Sequence, residues 1–406
     1  MSSLLDKLRA AQPIRKAADA PARRADSCLI KTGDYPCHDF PAMPLAPDTL
    51  RLMAAMAAEQ HLAPEDLLFL DTETTGLKGG AGTVAFLIGL GRFEGERFVV
   101  TQYLMRDYDE EPFVLAPVLE ALAACKAVVT FNGASFDMPL LQTRLIMNRL
   151  HQGYEAPPNL DLLHIARRVY KLRVRQCTLG RLEEEVFGTP RVDDLPGSQV
   201  PERYFEYIRT RELALLDDIL AHNAQDILSM ARLLYALAHL HEQPLSAQDQ
   251  RDLYSLGRVF ERRGERERAG QCFRACDDRS VRELAQMRLA NLLRRDGRHD
   301  EAAGLYEQAR VAGRGGAKVY IELAKIYEHR FRAPGRALAI ARQGMLYCLE
   351  RLDEGGADSP EYKDLAHRVN RLIAKTGGKT DGITGRHEDT FRAEQASEGG
   401  RAGGQA

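Results

Sequence analysis

Asp71 and Glu73 stand two residues apart, directly after the apolar run Leu67-Leu68-Phe69-Leu70. Residues i and i+2 of a β-strand point to one face. The run therefore predicts a strand whose end presents two carboxylates side by side. Like charges at such a place repel and lose hydration, and a divalent cation compensates most directly. Asp-x-Glu alone carries little weight. Asp109-Glu110-Glu111 repeats it in a stretch that reads as a solvated loop.

Two further segments belong with the first. Asn132-Gly133-Ala134-Ser135-Phe136-Asp137 follows a second apolar strand, Ala127–Phe131. Its small residues allow a tight strand-to-helix turn with Asp137 at the helix start. Alone, Asp137 reads as a helix cap. His222-Asn223-Ala224-Gln225-Asp226 lies in a helical run, where i and i+4 share a face. Alone, His222 and Asp226 read as a surface pair. Together, Asp71, Glu73, Asp137 and Asp226 can converge on an oxygen-only site. Such donors select hard cations, Mg²⁺ or Mn²⁺. Two ions about 4 Å apart suit in-line attack on a phosphodiester, one activating the nucleophile and the other stabilising the leaving oxygen.

The three segments resemble the motifs of the DEDD 3′–5′ exonuclease superfamily, which has the ribonuclease H-like fold. More narrowly, residues 25–350 resemble the bacterial YprB-type ribonuclease H-like proteins, which join such a domain to C-terminal tetratricopeptide repeats. The resemblance implies a metal-dependent 3′–5′ exonuclease acting on DNA or RNA with two Mg²⁺ (or Mn²⁺). Asp71 would bridge both ions. Glu73 and Asp226 would hold the one carrying the attacking water, and Asp137 would support the other. The third motif departs from the superfamily, which uses Tyr-x3-Asp or His-x4-Asp; here it is His222-x3-Asp226. A histidine near neutral pH can accept a proton from water. His222 is therefore expected to be the general base or a water-orienting group, with its reach left open by the spacing. The irregular motif also suits an alternative: a catalytically weak nuclease-fold adaptor that binds nucleic acid and recruits a repair or RNA-processing partner through its repeats. The four intact carboxylates favour the enzyme.

Substrate contacts are expected from Thr72 and Thr75, mainly through their backbone. Phe136 can pack beneath the turn or against a base, and Asn132 can bind a phosphate or hold the turn. Leu162–Leu182 contains Arg167, Arg168, Lys171, Arg173, Arg175 and Arg181 and no acid, with His164 and Tyr170 among them. It reads as a phosphate-tracking surface with stacking groups, or as a solvated face. Asp161 reads as the cap of the helix it begins, outside the site.

The elements that must position these residues follow from patterning. Strands are expected over 67–70, 84–90, 98–104 and 127–131, the middle two as a hairpin around Glu94-Gly95-Glu96. Helices are expected near 112–125, 137–150, 161–170, 201–210 and 213–240. This predicts an α/β ribonuclease H-like domain with a mixed central sheet over 25–241. From 250 onward a 33-residue period appears. Leu253, Leu256, Gly257, Phe260, Gly264, Ala269 and Phe273 recur as Gln286, Leu289, Ala290, Leu293, Gly297, Ala302 and Tyr306. A third copy begins with Tyr320, Leu323, Ala324 and Tyr327 and degrades near Pro334. The pattern predicts an all-α tetratricopeptide-like domain over 250–374, with a capping helix at 361–374. Residues 1–24 read as a flexible basic arm and 375–406 as a disordered tail.

Composition excludes collagen, disulfide-dense mini-proteins and a wholly disordered chain: 44% of the 406 residues are hydrophobic and 28% charged. No apolar stretch is long enough to span a membrane, and the N-terminus lacks a signal-peptide core. Seven scattered cysteines, among them the loop pair Cys28 and Cys37 and the repeat pair Cys272 and Cys276, point to reduced thiols and a cytoplasmic protein. The net charge of −2 averages two unlike halves. Residues 67–241 carry 18 Lys/Arg against 23 Asp/Glu, and residues 250–350 carry 21 against 14, with 19 of the 21 being Arg. Arginine suits phosphate contacts, so the isolated repeats are expected to bind nucleic acid weakly; they also offer a site for a protein partner.

Overall fold

The computed structural model describes residues 28–36, 45–53, 62–76, 82–191, 195–351 and 355–377. The arm expected over 1–24, the part of the tail expected over 375–406 that follows Gly377, and Cys37 lie outside these residues. The chain separates into two compact units, one through Arg263 and one from Gly264.

The first unit is built on a six-stranded mixed sheet in the order β1-β4-β3-β2-β5-β6. The strands are β1 (Leu29–Pro36), β2 (Leu67–Thr74), β3 (Ala85–Glu94), β4 (Arg97–Leu104), β5 (Ala127–Thr130) and β6 (Asn159–Asp161). β1 to β4, β4 to β3 and β3 to β2 are antiparallel; β2 to β5 and β5 to β6 are parallel. The hairpin turns at Gly95, whose φ of 60° is readily adopted only without a Cβ. Two strands were not expected. β1 mixes polar and apolar residues at a sheet edge, and β6 has only three residues.

β2 runs four residues further than its apolar core predicts. Asp71, Thr72 and Glu73 continue to pair with Gly89, Ile88 and Leu87 of β3, while the ladder with β5 ends at Phe69. The carboxylates thus sit inside a strand paired firmly on one flank, at the carboxyl ends of β2 and β5. That is where open α/β sheets bind ligands.

Helices α1 (Pro47–Met53), α2 (Glu111–Ala124), α3 (Asp137–Met147), α4 (Leu162–Tyr170), α5 (Leu179–Leu182), α6 (Val200–Thr210) and α7 (Asp217–Glu242) accompany the sheet. A π-helical turn, Glu183–Phe187, continues from α5. α7 lies against the sheet because β3 is thin where they meet. A Cβ at Gly89 would collide with Asn223 Oδ1, and one at Gly91 would fall 2.5 Å from Ile227 Cγ2. Phe69 packs edge-on against Phe98, and Phe86 stacks on Tyr204 at a 3.9 Å centroid distance. α8 (Gln250–Arg263) also belongs to this unit. Its buried Asp252 accepts from Arg173 just past α4, at 2.8 Å.

The described residues of the second unit are helical: α9 (Arg266–Ala275), α10 (Arg282–Arg295), α11 (His299–Val311), α12 (Ala317–His329), α13 (Pro334–Leu349) and α14 (Pro360–Thr376). Ala269, Ala290, Ala302, Ala324 and Ala341 are fully buried, which lets neighbouring helices approach closely. Gly264 and Gly297, with φ of 81° and 79°, provide left-handed turns. Arg332 takes that conformation before α13, at φ 50°. Buried Glu328 on α12 gathers Arg368 and Arg371 of α14 at 3.1 and 2.5 Å, which pins the last helix. Among the described residues, no helix is long and apolar enough to cross a membrane.

Candidate active site

The site assembles from β2, the turn after β5, the start of α3 and the first half of α7. Asp71 is oriented from α7. Asn223 donates its side-chain amide to Asp71 Oδ2 at 2.8 Å, and its own Oδ1 accepts from Gln102 Nε2 at 2.8 Å. Gln102 Nε2 also donates to the Leu220 carbonyl at 2.8 Å. Asn223 is completely buried, so these bonds fix its amide orientation. Asn223 lies within the third motif, but the sequence alone gives it no role.

Asp137 opens α3 and is buried, as expected of a turn residue pointing inward. The hydroxyl of Thr72 donates to its Oδ1 at 2.5 Å. The Thr72 side chain is thereby committed to the protein. Thr75 is likewise engaged: its buried hydroxyl accepts from the Val84 amide at 3.0 Å. Asn132 has a φ of 68° and holds the turn with its backbone, leaving its side chain partly exposed. Gly133 is required there, since a Cβ would lie 2.5 Å from Thr130 Cβ. Half-buried Phe136 is the residue before α3. Asp161 does cap its own helix, accepting from Leu163 N at 3.1 Å. It also accepts the Asn132 and Ala134 amides at 2.9 and 3.2 Å, so it braces the second motif.

Glu73, His222 and Asp226 meet at the third corner. His222 Nε2 lies 3.9 Å from Glu73 Oε1 and 3.7 Å from Asp226 Oδ2. The i,i+4 spacing on α7 therefore turns both side chains to Glu73. One arginine enters this corner without any sequence signal. Arg191 donates to Asp226 Oδ1 at 2.5 Å and to Glu183 through Nε at 2.5 Å, and its Nη1 lies 3.5 Å from His222 Nδ1. Glu183, in the π-helical turn, is buried and bonded to Ser229 of α7.

The electrostatics are those of crowded, desolvated acids. Burial, then Asp226, Glu73 and Asp137, raise the Asp71 carboxyl well above its usual range, against the bond from Asn223. Burial, with Asp226 and Asp137, pushes Glu73 up to about 8. Burial raises Asp137 to about 6, opposed by the Thr72 hydroxyl. Asp226 is raised by burial and pulled back by Arg191 and His222. As the side chains stand, no three His, Cys, Asp or Glu among the described residues close around one point.

The basic run divides. Tyr170 is buried, Arg173 is taken by Asp252, and Arg181 pairs with Glu184 at 2.5 Å and Glu185 at 3.2 Å. Arg167, Arg168, Lys171 and Arg175 are exposed and form no ion pair among the described residues. His164 is exposed, with Nε2 3.9 Å from Asp161 Oδ2.

Comparison with known proteins agrees with this architecture. The RNase H superfamily model matches residues 68–238, from the core of β2 into the last turns of α7. YprB of Bacillus subtilis (strain 168), itself an uncharacterized protein, is 31% identical in an alignment of 366 positions that covers 86% of each chain. The chain belongs to the YprB family. Its first unit has the RNase H-like fold. The family B DNA polymerase of the hyperthermophilic archaeon Pyrobaculum calidifontis shows 16% identity with this YprB-family chain, over 50% of it and 30% of the polymerase, at a TM-score of 0.34.

Proposed function

We propose that this YprB-family protein is a divalent-metal-dependent nuclease, a 3′–5′ exonuclease of the DEDD type, acting on DNA or RNA. One observation carries the reading: four carboxylates, Asp71, Glu73, Asp137 and Asp226, crowd together, Asp137 buried and the others half-buried, with raised proton affinities. Without a counter-charge such a cluster costs stability, and its all-oxygen donor set fits two Mg²⁺ (or Mn²⁺). These four residues would hold the ions. When bound, the ions supply a nucleophile at neutral pH and stabilise charge on the phosphodiester oxygens.

The chain's own residues do the rest. Asn223 aims Asp71 and Thr72 aims Asp137, so neither carboxylate must be ordered on loading. His222 Nε2 faces Glu73 and Asp226 and takes the proton of the attacking water. Water oxygen bonds to phosphorus, the P–O3′ bond breaks, O3′ takes up a proton from solvent to become the new 3′-hydroxyl, and the released nucleotide keeps a 5′-phosphate. The backbone of Thr72 and Thr75, the Asn132 side chain and Phe136 face the terminal nucleotide. The helical second unit, read as tetratricopeptide-like repeats, docks nucleic acid or a protein partner.

The adaptor reading has one observation in its favour, the engagement of Asp226 by Arg191. Degradation of 3′- and 5′-labelled single- and double-stranded DNA and RNA in Mg²⁺ and Mn²⁺ separates the two. The enzyme releases 5′-mononucleotides from the 3′ end and Asp71→Ala does not. Binding without metal-dependent product on any substrate establishes the adaptor.

A further inference from the structure

We infer that Arg191 is a positioning residue whose bond to Asp226 opposes cation binding at that carboxylate. The inference rests on the metal reading above.

Arg191 is 12% exposed and sits between two acids. Its Nε and Nη2 bond Glu183, and Nη2 also bonds Asp226. The guanidinium charge and its hold on Asp226 Oδ1 oppose a divalent cation at that carboxylate, whose Oδ2 lies 3.7 Å from His222 Nε2. The arginine therefore gives Asp226 a counter-charge while the cation is absent.

The surroundings allow the movement. An open cleft of about 380 Å³ is lined by Arg191 together with Glu183, Asp218, His222, Gln225 and Arg232. Glu183 is fixed by Ser229, so Arg191 can leave Asp226 while Glu183 retains it.

Calorimetric titration of the full chain with Mn²⁺, without nucleic acid, tests this. Arg191→Gln should bind Mn²⁺ about tenfold more tightly than the native protein, the size of one charge-assisted hydrogen bond. The double variant Arg191→Gln/Glu183→Gln removes one charge of each sign and leaves no unpaired Glu183. It should tighten binding to a similar extent, which separates release of Asp226 from a change in net charge and covers misfolding of the single variant. A structural role alone does not raise metal affinity. Unchanged or weaker binding in a folded variant overturns the inference and leaves the metal reading intact. Absence of Mn²⁺ binding by the native protein and both variants at millimolar concentration overturns the metal reading, and the inference with it.

Discussion

The Asn223 amide donates to Asp71 Oδ2 at 2.8 Å from a position with no solvent exposure. The fold is arranged around this bond. Asp71 pairs across the sheet with Gly89, whose missing side chain is the space that Asn223 fills. Asn223→Ala should lower kcat about tenfold to a hundredfold with little change in KM, because the amide orients a reacting group without touching substrate. Gly89→Ala should reproduce that loss and cost about 1–3 kcal/mol of stability in urea unfolding, since the added methyl meets Asn223 and Ile227. Full activity in Gly89→Ala would show that Asn223 is not needed where it stands.

The buried acids predict a pH dependence of the metal-free protein. Burial raises Glu73 from 4.5 to about 8 and Asp137 from 3.8 to about 6. A carboxyl whose folded pKa exceeds its unfolded value favours folding while protonated. That stability is fully present below about pH 4 and is lost as pH rises through 6 and then 8. In a chelating buffer Tm should therefore fall between pH 5 and 8. Excess Mg²⁺ or Mn²⁺ should flatten the slope, because cations replace the protons. A chelated protein whose Tm rises over that window contradicts the assignment.

Thr72→Val keeps shape and removes the hydroxyl that Asp137 accepts. Stability should drop by about 1 kcal/mol and kcat by roughly tenfold. The variant should also need more divalent cation for half-maximal rate. An unchanged metal requirement would mean that Thr72 does not position Asp137.

The basic run gives two contrasting outcomes. Replacing Arg167, Arg168, Lys171 and Arg175 together with Gln should leave Tm unchanged and weaken nucleic-acid binding. Its salt slope should fall by roughly one for each phosphate that is no longer neutralised. Arg173→Gln should instead destabilise by about 3 kcal/mol, since it strands buried Asp252. Equal effects on binding and stability in both proteins would remove the distinction between the solvated and the paired cations.

The parts legible in the sequence were those with local signals. The hairpin, α3, α4 and the long α7 follow from apolar period and turn residues, and the three motifs fall at strand ends and one helix face. What was not legible depends on contacts across the chain. β1 and β6 owe their conformation to partners, β4 and β5, since their own residues show no alternation. Arg191 reaches Asp226 across 35 positions, and Asp161 reaches Asn132 across 29. In sequence Arg173 resembles its basic neighbours, and only the fold brings Asp252, 79 residues away, to pair with it. Asn223 lies in plain view beside His222, but only the fold shows an amide placed between an acid and a glutamine.

The most direct measurement compares the native protein with Asp71→Asn on one 3′-labelled single strand, with Mg²⁺, with Mn²⁺ and with chelator. Asp71→Asn keeps the shape and the Asn223 contact while removing the charge. Four-carboxylate chemistry predicts mononucleotide release by the native protein in either metal, none in chelator, and a loss of about a thousandfold or more in the variant. Equal rates in the two proteins, or cleavage that persists in chelator, would contradict it.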